Sequence, residues 1–257
     1  MPTVPFLIFT DLDGTLLDHD TYSHAPADTV LQRLAKAGIP VILASSKTAA
    51  EMGPLRAELG LAAHPMICEN GAGLIEPDDG QSATPTDYIA LRKVLATLDA
   101  PFRGFGDMAV AEVIDLTGLS EEAAHRAMTR AFSEPGIWHG TDKQKETFLK
   151  DLRDHGISAR EGGRFLTLSF GATKADRMTD IAARYGTPPL LALGDAPNDI
   201  EMLSTADHGA IIANPHRAPL PAHPLEATGR ITRSTLPGPA GWAERVTTIL
   251  SQHGITI

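Results

Sequence analysis

The chain has 257 residues, 42% hydrophobic and 21% charged, an ordinary globular composition that makes disorder no default and allows one large or two modest domains. Its 32 acidic residues outnumber 22 basic ones, for a formal net charge of −10, and the absence of a long basic run argues against nucleic acid or an anionic membrane as partner. No apolar stretch approaches the ~18 residues of a membrane helix, Met1-Pro2-Thr3 lacks the basic start of a secretory signal, and the single cysteine, Cys68, reads as a buried small hydrophobe. The expectation is a soluble cytoplasmic protein.

In chain order, the apolar run Val4–Thr10 predicts a buried strand. Ala27–Ala37 follows, with Val30, Leu31 and Leu34 at helical spacing and Gly38 at the stop position. Pro40–Ser45 reads as a second strand, Thr48–Leu59 as a helix broken or kinked near Gly53-Pro54, and Met66–Cys68 as a third strand before Glu69-Asn70-Gly71. From about Thr84 to Thr167 the texture changes: Tyr88–Thr97, Ser120–Phe132 and Asp142–His155 are helical, with strand-like pieces near Ile137–Trp138 and Phe165–Leu168. Strands return at Leu190–Leu193 and Ala210–Ala213. Pro219–Gly241 reads as a surface excursion, and Trp242–Leu250 as a final helix. Alternating strands and helices imply right-handed βαβ units. The predicted fold is therefore α/β, a Rossmann-like parallel-sheet core over residues 1–83 and 169–257 with an inserted α+β cap over 84–168.

Polar residues fall just beyond predicted strand ends, where ligands bind in open α/β sheets. Asp11 and Asp13 lie two positions apart in Thr10-Asp11-Leu12-Asp13-Gly14-Thr15, on one side of an extended chain, and Gly14 permits a sharp turn. Two carboxylates held together in a low dielectric call for a shared proton or a cation, and hard oxygen ligands favour Mg2+. Asp11 can attack an electrophile, and Asp13 can exchange a proton with a leaving oxygen. Ser45, Ser46, Lys47 and Thr48 end a strand and open a helix, which suits either a phosphoryl oxygen or an ordinary N-cap. Lys174 can neutralise Asp11 and a phosphate. Gly194-Asp195-Ala196-Pro197-Asn198-Asp199 is either a metal-binding loop or a set of Asx turns.

Taken together, the order DxDGT, strand-end Ser45, Lys174 and GDxxND resembles the four-motif arrangement of the haloacid dehalogenase-like phosphatases over nearly the whole chain. The resemblance implies Asp11 as nucleophile, Asp13 as general acid/base, Ser45 and Lys174 as phosphate-orienting groups, and Asp11, Asp13, Asp195, Asn198 and Asp199 as the surroundings of a magnesium ion. Within that superfamily, several stretches are similar to mannosyl-3-phosphoglycerate phosphatases: Ser45–Glu51, Glu69-Asn70-Gly71-Ala72, Leu116–Ala123, Arg130-Ala131-Phe132-Ser133-Glu134-Pro135 and Gly162-Gly163-Arg164-Phe165. Ser45 stands where that family commonly has threonine, and Ala131 where it has an acidic residue. The implied substrate is a phosphorylated sugar-glycerate, met by Ser46, Lys47, Asn70, Arg130, Glu134 and Arg164. A monomer or weak homodimer is expected. The rivals are a phosphatase of glucosyl-3-phosphoglycerate or another sugar phosphate, a phosphomannomutase, and a non-catalytic sugar-phosphate sensor.

Overall fold

The computed structural model describes residues 4–77, 84–162 and 165–257. Its centre is a five-stranded parallel sheet in the order β11-β10-β9-β1-β2, with β1 at Leu7–Thr10, β2 at Val41–Leu43, β9 at Leu190–Gly194, β10 at His208–Ala213 and β11 at Ile231–Pro237. β1 and β9 are buried or nearly so along their length, because helices cover both faces. On one face, Leu31 and Leu34 of α1 (Asp28–Lys36) and Trp242, Val246 and Ile249 of α9 (Gly238–Gln252) pack with Ile8 and Leu193. On the other, Met178 and Ile181 of α7 (Lys174–Arg184) and Met202 and Leu203 of α8 (Ile200–Thr205) pack with Leu7, Phe9 and Ala192. Alternate residues of a strand point to opposite sides, so β1 divides its side chains between the two cores.

The third predicted strand, β3 at Met66–Cys68, pairs antiparallel with β4 at Gly73–Ile75 and meets the parallel sheet through one bridge between Ala44 and Ile67. α2 is continuous over Ala49–Glu58 with Pro54 inside it, so of the break or kink expected near Gly53-Pro54 there is no break. Its start is secured by a capping box: Thr48 accepts from the Glu51 amide at 3.2 Å, and Glu51 accepts from the Thr48 amide at 2.8 Å.

The antiparallel cap sheet has the order β5-β6-β8-β7, with β5 at Phe102–Gly104, β6 at Ser133–Trp138, β7 at Ser158–Gly162 and β8 at Phe165–Ser169. Four helices accompany it: α3 (Thr86–Leu95), α4 (Val110–Thr117), α5 (Glu121–Met128) and α6 (Asp142–Asp154). Leu91, Phe148, Leu152, Leu166 and Leu168 form its main core. The predicted helix Ser120–Phe132 ends early, at Met128. The amides of Thr129 and Arg130 turn to the nearby Arg126 and Met128 carbonyls, and the three after them go to a carboxylate from elsewhere: Glu69 accepts from the amides of Ala131 at 2.9 Å, Phe132 at 3.2 Å and Ser133 at 2.7 Å. The predicted surface excursion over Pro219–Gly241 contains β11. Its Pro237 is accommodated because β11 is an edge strand.

Candidate active site

β1 ends at Thr10, and the chain then turns through Leu12–Leu17. Gly14 has φ +76°, and a Cβ there would meet Asn214 Nδ2 at 2.5 Å, so both the turn and the close approach of the Asn214 loop require glycine. The main chain at Asp11 is fixed on both sides. Its amide donates to the Leu193 carbonyl at 2.9 Å, and its own carbonyl accepts from Thr10 Oγ1 at 2.7 Å. Thr10 Oγ1 in turn accepts from the buried Trp242 Nε1 at 3.0 Å.

Lys174, the first residue of α7, is 2% exposed. Its Nζ donates to Asp11 Oδ1 at 2.6 Å and to Asp199 Oδ1 at 2.8 Å. The other oxygen of Asp199 accepts from the amides of Asp195 at 3.2 Å and Ala196 at 3.0 Å, so both its oxygens are occupied. Gly194 makes this possible, since a Cβ there would sit 2.4 Å from Asp199 Cβ. Asp195 accepts from Thr15 Oγ1 at 3.2 Å, Asn214 Nδ2 at 2.8 Å and Arg217 at 3.4 Å. Asp11, Asp195 and Asp199 each offer an oxygen within 4.8 Å of the others, and all three are buried.

Three buried carboxylates face one buried ammonium. Burial, and then the charge of Asp199, push Asp11 up to about 8 against the opposing pull of Lys174. Burial likewise raises Asp195, with Asn214 opposing. Burial would lower Lys174, but Asp11 and Asp199 outweigh it and hold it above the usual lysine range. This excess of negative charge on an all-oxygen donor set fits a hard divalent cation.

Asp13 sits at the rim of this group. Lys47 Nζ lies 3.0 Å from its Oδ2 and 5.4 Å from the centroid of the Tyr22 ring. Although burial lowers it, the charges of Asp13 and Glu51 leave Lys47 net raised. Asp13 Oδ1 is buried with no partner among the described residues. Ser45 is buried at the end of β2 and accepts from the Lys47 amide at 3.3 Å, while Ser46 is exposed. Asn198 is exposed and donates to Asn70 Oδ1 at 3.0 Å. Thus the structure joins Asp11, Lys174, Asp195 and Asp199 directly, Asp13 with Lys47, and Asn70 with Asn198.

Two residues expected at the substrate, Arg130 and Glu134, are paired inside the protein. Arg130 lies against Glu69 at 3.1 Å and donates to Ser133 Oγ at 2.6 Å, inside the protein. The side chain of Glu134 is fully buried and accepts from Tyr88 at 2.8 Å, Arg92 at 3.0 Å and the Gly106 amide at 3.1 Å. Burial raises its carboxyl against the pull of those partners. Buried polar groups must be paired, and both residues already are. Arg164 lies outside the described residues. The sequence reading also missed Thr15, Asn214 and Arg217 on Asp195; the strand end before Asn214-Pro215 was the available signal.

Structural comparison finds the same architecture in other proteins. A Thermoplasma acidophilum protein matches with TM-score 0.64 at 18% identity, over 96% of this chain and 97% of its own. A sucrose-phosphatase from Synechocystis, solved with sucrose and phosphate, matches with TM-score 0.63 at 14% identity, over 95% of this chain and 97% of its own. A phosphatase from Bacteroides thetaiotaomicron matches with TM-score 0.62 at 19% identity, over 96% of this chain and 94% of its own. A sequence model of the haloacid dehalogenase-like hydrolases matches residues 8–102 and 138–220, most of the chain, and spans Asp11, Asp13, Ser45, Lys174, Asp195 and Asp199. The chain belongs to the haloacid dehalogenase-like hydrolases.

Proposed function

We propose that this protein is a magnesium-dependent phosphomonoesterase acting on a phosphorylated sugar-glycerate, with mannosyl-3-phosphoglycerate as the first candidate. The observation that carries the phosphatase reading is the buried Asp11, fixed by Lys174 at 2.6 Å within a set of carboxylates. The similarity in fold to a sucrose-phosphatase and to a sugar phosphatase of subclass IIB supports a sugar phosphate as substrate. The glycerate portion rests on the Ser45–Glu51 and Glu69–Ala72 stretches. The four-stranded antiparallel sheet and its helices, residues 84–168, would serve as the lid.

Asp11 and Asp195 would hold the magnesium ion, with Asp13 contributing its main-chain oxygen and Asp199 and Asn198 standing behind them. When bound, the ion supplies positive charge beside the transferring phosphoryl group and keeps Asp11 ionised. Lys174 occupies Asp11 Oδ1, which leaves Oδ2 as the attacking atom. Asp11 Oδ2 bonds to phosphorus while the bond from phosphorus to the ester oxygen breaks, its electron pair leaving on that oxygen. Asp13 supplies the proton that the departing oxygen takes, through Oδ1, the oxygen free of Lys47. Asp13 then withdraws a proton from water as the water oxygen attacks phosphorus, which releases phosphate and restores the Asp11 carboxylate. Lys174 and Ser45 hold the phosphoryl oxygens throughout.

The test is phosphate release by purified protein with Mg2+ over a panel of mannosyl-3-phosphoglycerate, glucosyl-3-phosphoglycerate, sucrose phosphate and trehalose phosphate. The expected result is the highest kcat/KM on the mannosyl compound and loss of turnover in Asp11→Asn. A higher value on another ester reassigns the substrate, and a product that stays phosphorylated points to a mutase. Silence on every phosphate ester overturns the enzymatic reading.

A further inference from the structure

Apart from the buried carboxylate group, two histidines and an aspartate meet from distant parts of the chain. His19 and Asp20 belong to the loop that follows the Asp11–Thr15 turn, and His216 to the loop that follows β10. The His19 and His216 rings stack with centroids 4.2 Å apart and planes 20° from parallel. His216 Nε2 lies 3.4 Å from Asp20 Oδ2. One nitrogen from each ring and one Asp20 oxygen all lie within 4.8 Å of one another, and all three side chains are exposed.

We infer that His19, Asp20 and His216 form a second metal site, selective for a zinc-class transition ion and separate from the all-oxygen group. Two imidazoles and a carboxylate are a nitrogen-rich, borderline donor set, which suits zinc rather than magnesium. Tetrahedral zinc with bonds of about 2.0–2.2 Å places its ligand atoms roughly 3.4 Å apart. The Asp20–His216 edge already has that length, the two exposed rings turn from their stacked arrangement to bring their nitrogens onto one ion, and water completes the coordination.

Both loops are held in place before any ion arrives. Asp18 Oδ1 accepts from the amides of Asp20 at 3.2 Å and Thr21 at 2.9 Å, and from Thr21 Oγ1 at 2.8 Å. Asn214 Oδ1 accepts from the His216 amide at 2.9 Å, while its Nδ2 reaches Asp195. An ion here would clamp the two loops to each other. Arg217, the residue after His216, contacts Asp195, and Tyr22, on the other loop, lies against Lys47. Occupancy therefore stiffens both walls of the carboxylate site, and zinc is expected to slow turnover where magnesium alone supports it.

The proposal does not depend on the phosphatase reading, because its primary readout is binding. Equilibrium dialysis against zinc chloride in excess magnesium, with metal analysis, would compare the wild-type protein with Asp20→Asn and with the double variant His19→Ala/His216→Ala. The carboxylate group can itself take zinc, so the quantity read is the difference. Wild type should bind one zinc equivalent more than the double variant, and Asp20→Asn should weaken that equivalent by at least about tenfold. Because the three residues are exposed, the variants should match the wild-type Tm without zinc. Equal zinc stoichiometry and affinity in wild type and a folded double variant would overturn the site.

Discussion

Replacing Glu69 by alanine removes the acceptor on which the junction between the parallel core and the antiparallel cap depends. Its carboxylate receives the amides of Ala131, Phe132 and Ser133 and the Ser133 hydroxyl at 2.7 Å, and it faces Arg130 at 3.1 Å. The residue holds this position with φ 52°, followed by Asn70 at φ 59° and Gly71 at φ 98°, a left-handed run that non-glycine residues adopt only when surrounding contacts enforce it. A stranded buried donor costs about 1–3 kcal/mol. Three amides at the lower end, with about 1 kcal/mol more for Arg130 after Ser133 retains part of it, give a loss of about 4 kcal/mol. For a chain of this size that corresponds to a fall in Tm of roughly 8–16 °C. Calorimetry and urea unfolding of Glu69→Ala and Arg130→Met would measure it, alongside the KM of each variant. If Arg130 instead met the substrate, Arg130→Met would raise KM and leave the unfolding midpoint unchanged; that outcome, or a Glu69→Ala loss under about 1 kcal/mol, would refute the structural role.

Three further outcomes are expected. Gly194→Ala places a methyl against Asp199 and should cost about 1–3 kcal/mol of stability, while lowering kcat by displacing the Lys174 seat; unchanged kcat and Tm would contradict the close approach at 2.4 Å. Adding Mg2+ to chelator-treated protein should raise Tm, by an equivalent of about 2.7 kcal/mol at a hundredfold excess over Kd, with most of the response lost in Asp195→Asn; calorimetry reads both. Burial would lower the pKa of His24, but Asp28 at 2.5 Å and Glu58 at 3.3 Å together raise it above 6.5. The stability it contributes is therefore complete below pH ~6.5 and is lost as pH rises through the folded value. His24→Asn should accordingly destabilise more at pH 6 than at pH 9, and a larger effect at pH 9 would reverse the sign.

The core strands were legible because a strand buried on both faces is a continuous apolar run, as at Leu7–Thr10 and Leu190–Gly194. What stayed hidden lacked that signature. Of β6 only the Ile137–Trp138 end was legible, since the strand sits between β5 and β8 yet carries Pro135 and Gly136, residues that argue against an interior strand. β7 is exposed and charged, and β11 alternates threonine, arginine and serine at an edge; hydrophobic periodicity marks neither. That the chain does not stay helical through Phe132 could not be read locally, because Glu69, far away in the chain, supplies the acceptor for the amides of Ala131, Phe132 and Ser133.

The same distinction separates the groups of the active site from the cap residues. Asp11, Lys174, Asp195 and Asp199 are placed by backbone positions, namely a strand end, the first turn of a helix and a tight loop, so their convergence follows once the parallel topology is known. Arg130 and Glu134 have no such constraint, since a long charged side chain can turn outward to a ligand or inward to a partner. Which way it turns depends on whether an opposite charge lies within reach. Glu69 for Arg130, and Arg92 for Glu134, are those charges, and each arrives from a separate segment. Pairing inside the protein lets Arg130 fix the cap to the loop that follows β3, through Glu69, while Glu134 fixes β6 to α3 within the cap. Lys47 and Tyr22 are placed otherwise: Lys47 lies 3.0 Å from Asp13 and over the Tyr22 ring, so its charge stays at the rim of the carboxylate group.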